Sequence, residues 1–223
     1  SFMENVVEWH GKIPDDAEVV ARSSNTCETE NGICSLCAGE KKPGELHPVG
    51  SYAGTTSARW VAEPLLQTAV GSKHGAHDTK ESEHELEGFE AIEKFVTVPK
   101  NFPSGAVVSN TDGYVDKVSK APQGGHYVVI NNTQFYVQPG SEVEVSEGDE
   151  VQPGDVLSGG LPNPAEIARY KGIGEGRKYF TDKLYEILKK NRINVNKSHV
   201  ENLARGFINN VKIKDNTLSG YEI

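Results

Sequence analysis

Three cysteines fall within eleven residues as Cys27-x6-Cys34-x2-Cys37, and the 223-residue chain has no others. Thiolates at this spacing suit a soft divalent cation, and clustering of this kind in a cytosolic chain points to metal before disulfide. Gly32 and Gly39 flank the second and third thiols and would supply the tight turns of a thiolate knuckle. Zinc, at about 2.3 Å per Zn–S bond, is the expected ion. A closed structural site wants four ligands, and the window offers three. His47 could be the fourth, and so could a ligand from an upstream segment. A second set, His74, His77 and His84 beside Asp78 and Glu81, has metal-like spacing. It lies in a polar stretch, where histidines are more often solvated than ligating, and that reading is set aside. No catalytic triad, magnesium-type carboxylate cluster or phosphate loop is present, and Gly172-x-Gly174-x-Gly176 lacks the preceding strand a dinucleotide site needs.

Composition bounds what these residues can serve. Hydrophobic residues make up 36% and charged residues 25%, and no apolar run approaches the roughly 18 residues of a membrane span. Ser1-Phe2-Met3 carries neither the basic start nor the apolar stretch of a signal peptide and reads as a tag scar before a start methionine, so the expected location is cytoplasmic, with no membrane partner. The net charge is −9 but uneven: residues 161–223 carry 12 Lys+Arg against 7 Asp+Glu. A basic end behind an acidic body permits a local anionic partner, although a basic helical face is usually just solvated.

Residues 48–71 are rich in Gly, Ala, Ser and Thr and contain Pro64. They would make a weak isolated helix, yet small side chains suit close backbone packing. Residues 75–88 have no apolar face and predict a mobile loop. Phe89, Ile92 and Val96 then recur at helical spacing before Pro99 and Pro103. From 105 to 160, short strand-like runs (DGYVDKV, GGHYVVI, TQFYV, SEVEV, EGDEVQPGDVL) predict a small barrel or sandwich. The last run resembles a turn-and-strand signature of lipoyl and biotinyl carriers. Lys117 is a poor attachment site because it precedes that turn in the chain. In the final third, Asn163-Pro164 with Glu166 predicts a capped helix start. Phe180, Leu184, Ile187 and Leu188 mark one buried stripe; Val200, Leu203, Ala204, Phe207 and Ile208 mark another, with a Ser198–Glu201 capping box. Arg169, Lys171, Arg177 and Lys178 surround the glycine-rich turn between them.

In order, these pieces resemble the C-terminal half of the largest catalytic subunit, β′, of bacterial-type multisubunit RNA polymerase. The motifs that carry the resemblance begin with Arg22-Ser23 and the Cys27, Cys34, Cys37 group with Thr29, Gly32 and Gly39. Gly50, Gly54 and Ala58 follow, then Glu63-Pro64-x-x-Gln67 and Ser72-Lys73-His74-Gly75. Gly88-Phe89, Asp112-Gly113, Glu147-Gly148-Asp149, Gly154-Asp155-Val156 and the terminal helices around Ile193, Asn194 and His199 complete a run over roughly residues 18–222.

The resemblance implies an α+β chain: a partial zinc-binding segment (1–47), trigger-loop helices with a mobile loop (48–104), a jaw-like barrel-sandwich module (105–160) and a C-terminal helical segment (161–223). It implies a nucleotidyltransferase, DNA-directed RNA polymerase, working as part of a complex with β and the remainder of β′, on DNA template, RNA and NTP. The isolated chain, read as a fragment or split subunit, is expected to be inactive. Zinc would sit on Cys27, Cys34 and Cys37, its fourth cysteine well upstream, and magnesium on aspartates of an earlier region. The trigger loop closes over the incoming nucleotide. By carry-over, Gln67 would position the ribose, and His74 would approach the triphosphate as proton donor or electrostatic catalyst. Three positions depart from the family pattern: Val70 replaces a base-packing methionine, Gly71 a phosphate-contacting arginine and Lys73 a phenylalanine. Lys73 could restore the lost charge beside the nucleotide. The departures suggest a phage-encoded or otherwise outlying polymerase. Two other readings have distinct signatures: a non-catalytic zinc and barrel protein-binding module, and a lipoyl- or biotinyl-like carrier, which would bear a modified lysine.

Overall fold

The structure, a computed structural model, describes residues 20–74, 92, 93, 95–97 and 105–209. The expected mobile loop at 75–88, along with Phe89, Pro99 and Pro103, lies outside the described residues. The chain mixes helix and sheet, as expected. A one-turn helix α1 (Ser35–Ala38) carries the last cysteine and leads into a hairpin of β1 (Glu40–Lys42) and β2 (Glu45–Leu46). A 22-residue helix α2 (Ala53–His74) follows and runs straight through Pro64. Proline offers no N–H to the carbonyl four residues back, so α2 is one bond short at its centre.

The helical core explains why a sequence of small residues interrupted by Pro64 holds α2. Val61 of α2 packs with Ile92, Phe95, Phe180, Leu184, Leu188, Ile193, Val195, Val200 and Ala204. Tertiary burial overrides weak propensity here. Ile92 and Phe95 are both helical and buried, Phe95 fully, whereas Val96 is exposed. Three-residue spacing from Ile92 faces the core better than four, because Phe95 can lie against Phe180 and Tyr179.

Between the helices lies an antiparallel sheet in the order β5-β4-β3-β6. Strand β3 (Gly113–Lys120) pairs with β4 (His126–Ile130), which pairs with β5 (Thr133–Val137) through a two-residue turn, Asn131-Asn132. Both asparagines have positive φ, 47° and 62°, matching the twist of a tight hairpin. The expected SEVEV strand is reduced to a bridge between Val143 and Ser158, but its backbone still bonds there: Glu144 N–H donates to Leu157 O. Strand β6 is only Glu150–Val151. The carrier-like phrase resolves into two successive turns of the same design. Asp149 accepts from Ser146 N–H at 2.7 Å and Asp155 from Gln152 N–H at 2.8 Å. Lys117 lies mid-strand, paired opposite Val129 and remote from any hairpin tip. Val115, Val128, Ile130, Phe135, Val137, Val151 and Leu157 make a second core.

Helix α3 (Pro164–Lys171) starts as the sequence predicts, with Asn163 Oδ1 accepting from Ala165 N–H at 2.9 Å. Gly172, at φ 94°, breaks it from α4 (Ile173–Lys190), so the glycine run is a helix junction whose last two members lie inside α4. The last helix, α5 (Lys197–Phe207), is capped by Asn196, which accepts from Ser198 N–H. This corrects the expected Ser198–Glu201 box: Glu201 is engaged elsewhere, accepting from Ser23 Oγ at 2.9 Å. The basic side chains around the junction are not all solvated either, since Arg177 is 6% exposed.

Gly176 lets α3 and α4 cross closely. A Cβ placed there would meet Ala168 Cβ at 2.5 Å and its Cα at 2.7 Å. Ala in a helix interior gains about 1 kcal/mol over Gly, whereas overpacking a tight contact costs about 1–3 kcal/mol. We therefore expect Gly176→Ala to lower stability in urea unfolding. A variant at least as stable as the parent would show that the two helices part without cost.

Candidate metal centre

The cysteine segment has little apolar material of its own, so hydrogen bonds shape it. Cys27 and Ala38 are its buried apolar residues. Positive φ at Gly32 (86°) and Gly39 (82°) turns the chain on either side of the thiols, as expected for a knuckle. Cys34 N–H then points at Cys27 Sγ, and Cys37 N–H at Cys34 Sγ, each at 3.4 Å. Cys34 doubles as N-cap of α1. The three sulfurs lie within 4.8 Å of one another, compatible with the S···S spacing of about 3.8 Å around a tetrahedral ion with Zn–S bonds near 2.3 Å.

The thiols also differ electrostatically. Burial raises the Cys27 thiol, but hydrogen bonds from Thr29 and from Cys34 N–H outweigh it and bring it down to about 6. Burial and the neighbouring Cys34 and Cys27 push Cys37 up to about 11, with Arg22 pulling the other way. Three thiolates cannot gather here at neutral pH without a cation to offset their repulsion. The donor set therefore fits a soft metal ion.

Among the described residues no fourth His, Cys, Asp or Glu joins the group. His47 is buried instead beside α2, its Nδ1 3.5 Å from Ser51 Oγ. An open concavity of about 500 Å³ lies against the thiols, lined by Ala21, Arg22, Thr26, Glu28 and Thr29.

The segment is anchored from far along the chain. Ser23 bonds Glu201, Asn25 Nδ2 donates to Thr181 Oγ1 at 3.0 Å, and Arg205 Nη2 donates to Thr29 O at 2.8 Å. Arg177 donates through Nε to Ile208 O at 2.7 Å and through Nη1 to Asn25 O at 3.4 Å. One guanidinium thus caps the end of α5 and holds the cysteine segment.

No family model matches the chain. It is 30% identical over 204 residues to the DNA-directed RNA polymerase subunit beta′ of Acetivibrio thermocellus, an alignment covering 89% of this chain and 17% of that subunit. The beta′ subunits of Mycoplasma genitalium and Thermoanaerobacter pseudethanolicus are each 28% identical over 89% of this chain. The chain belongs to the β′ family. It spans 16–17% of the length of the β′ relatives from Acetivibrio and Mycoplasma.

Of the β′-type site residues expected from sequence, Cys27, Cys34 and Cys37 come together. Gln67, Val70, Lys73 and His74 all lie on α2. The Gln67 side chain is exposed, rotated about 80° around α2 from the buried Ser57 and about 120° from Val61. At about 100° per residue, positions 67, 70, 71 and 74 form one stripe, and position 73 is rotated about 200° from 71. No helix among the described residues of this β′ chain is long and apolar enough to cross a membrane. Sequence reasoning missed the anchors, Asn25, Arg177, Thr181 and Arg205, because polar residues at helical spacing carry no sign of whether water or protein covers them.

Metal affinity should rise with pH, because a protonated thiol cannot ligate. The Cys27 contribution is lost as pH falls below about 6, whereas Cys37, at about 11, still gives up a proton to the metal at pH 8. We expect zinc affinity to change about tenfold per pH unit for each proton displaced, measured by competition with a chromophoric chelator from pH 6 to 8. A flat profile would remove these thiols as ligands.

Proposed function

We propose that the chain is the trigger-loop-bearing part of a DNA-dependent RNA polymerase β′-type subunit, a nucleotidyltransferase acting with β and the remainder of β′ on template DNA, RNA and NTP. The observation that carries the reading is the division of labour on α2. One face is buried at Ser57 and Val61, while Gln67, rotated about 80° from the one and about 120° from the other, is exposed on the flank. A helix anchored on one side and open along its flank suits closure over a ligand held by other parts of an assembly.

In this reading zinc is structural and held by Cys27, Cys34 and Cys37, with the fourth position filled from another segment. Magnesium belongs to aspartates elsewhere in the assembly and supplies the phosphoryl chemistry there. Gln67 positions the ribose, and His74 donates a proton or stabilises charge at the triphosphate. Residues 105–160 act as a jaw-like barrel-sandwich, and the helices between Pro164 and Phe207 as the base that fixes α2. The alternative carrier reading loses support because Lys117 lies mid-strand.

Two departures from the β′ pattern have physical consequences. Gly71 costs the end of α2 about 1 kcal/mol relative to Ala and carries no charge. Lys73 cannot replace the missing arginine while α2 stays helical, since it lies on nearly the opposite side from position 71.

In the assembled polymerase, His74→Ala should slow single-nucleotide addition by about 10²-fold, the lower end for general acid or electrostatic help, with template binding nearly unchanged. Gly71→Arg should speed addition, and Lys73→Phe should leave it within about twofold if the helical geometry governs. A full rate for His74→Ala would demote this residue to a loop position and end the trigger-loop reading.

A further inference from the structure

A buried polar chain connects the cysteine centre to α2, and Asn202 sits at its middle. Ser24 and Ser57 are fully buried and Asn202 is 2% exposed, so none of the three can turn to water. Ser24 Oγ lies 3.0 Å from Cys37 O and is also bonded to Asn202 Oδ1. Asn202 Nδ2 is 2.9 Å from Ser57 Oγ, and Ser57 Oγ is 3.2 Å from His199 Nδ1. The His199 ring in turn stacks on Trp60 of α2, 7° from parallel.

Counting protons gives this chain two polarities. The Ser24 hydroxyl has one proton and two acceptors within reach. When Ser24 gives it to Asn202 Oδ1, the amide N–H serves Ser57, whose own proton goes to His199 Nδ1. When Ser24 gives it to Cys37 O instead, the amide must turn over to offer N–H to Ser24. Its oxygen then takes the Ser57 proton, and Ser57 accepts from His199 Nδ1–H. A side chain with one donor end and one acceptor end can serve both states; an apolar or purely accepting one cannot.

We propose that Asn202 is a positioning residue that couples the cysteine centre to the base of α2. A loaded centre fixes Cys37 and keeps its carbonyl under Ser24, which selects the second polarity and ties Ser57 and His199 into it. Both polarities give Ser57 the same two bonds, but each exchange between them breaks the Asn202–Ser57 bond. A centre that holds one polarity removes that exchange, so metal loading and the ordering of α2 favour each other, and by linkage each strengthens the other equally. This inference rests on the reading that Cys27, Cys34 and Cys37 hold a metal.

The test uses the full chain with cobalt as the metal. Thiolate-to-cobalt absorption reports loading, hydrogen exchange reports the amides of residues 56–61, and ring ¹⁵N shifts report the His199 tautomer. In the wild type, saturating cobalt should slow exchange in α2 about tenfold, the scale of one to two buried hydrogen bonds, and move His199 toward Nδ1–H. In Asn202→Leu, and in the milder Ser24→Ala should the first not fold, cobalt should still give its thiolate band while the α2 response drops to within twofold and the tautomer stays put. A cobalt band with no α2 response in the wild type, or an equal response in both variants, overturns the coupling alone. No thiolate band in any of them overturns the metal reading, and the coupling with it.

Discussion

The amide of Asn202, buried between Ser24 and Ser57, is the junction on which the arrangement of the helical half depends. Helix α5 is covered on both sides. Val200 and Ala204 face the apolar core, and the opposite face, with Glu201, Asn202 and Arg205, is covered by the cysteine segment. A polar helix face covered by protein must find every hydrogen bond there, because a buried unsatisfied group costs about 1–3 kcal/mol. Residues 23–29 meet that demand almost one for one, with Ser23 on Glu201, Ser24 on Asn202 and Thr29 on Arg205, across sequence separations of more than 150 residues.

The two halves of the chain consequently draw on different physics. The sheet and the C-terminal helices each have an apolar core of seven or more buried residues. The cysteine segment has none of comparable size and depends on directional bonds, among them the knuckle amides directed at the sulfurs. Arg177 adds a charged anchor without a described carboxylate partner. Its carbonyl partners satisfy the guanidinium, while burial and nearby Arg205 lower its basicity. The contact with the sheet is polar as well, where Lys171 meets Asp155 at 2.7 Å.

Much of this was legible in the amino acids. Cysteine spacing pointed to the thiol cluster, alternating Val, Ile and Tyr to the strands, and Asn163-Pro164 to a helix start at the right residue. The misses share one cause. Periodicity locates an apolar face but does not say what covers the polar one, so Arg177 read as solvent-facing and Asn202 drew no notice. The same limit explains Val96, where spacing alone could not choose between residues three and four positions on from Ile92, and Asn196, where two competing caps lay two residues apart. For Gln67, Val70, Lys73 and His74 the pattern alone argued a weak helix that stopped at Gly71, and both the helix through His74 and their expected roles came only with the β′ resemblance.

Pro64 turns the long helix into a lever. Ser57 and Val61 clamp its base, while the backbone bond that would stiffen the next turn is absent at the proline. Between Val61 and His74 lie thirteen residue steps, or about 20 Å of helix, so a tilt of about 5° at the clamp displaces the tip by about 1.7 Å. The length of helix beyond the clamp sets that ratio, and the missing bond at the proline marks where α2 bends most easily.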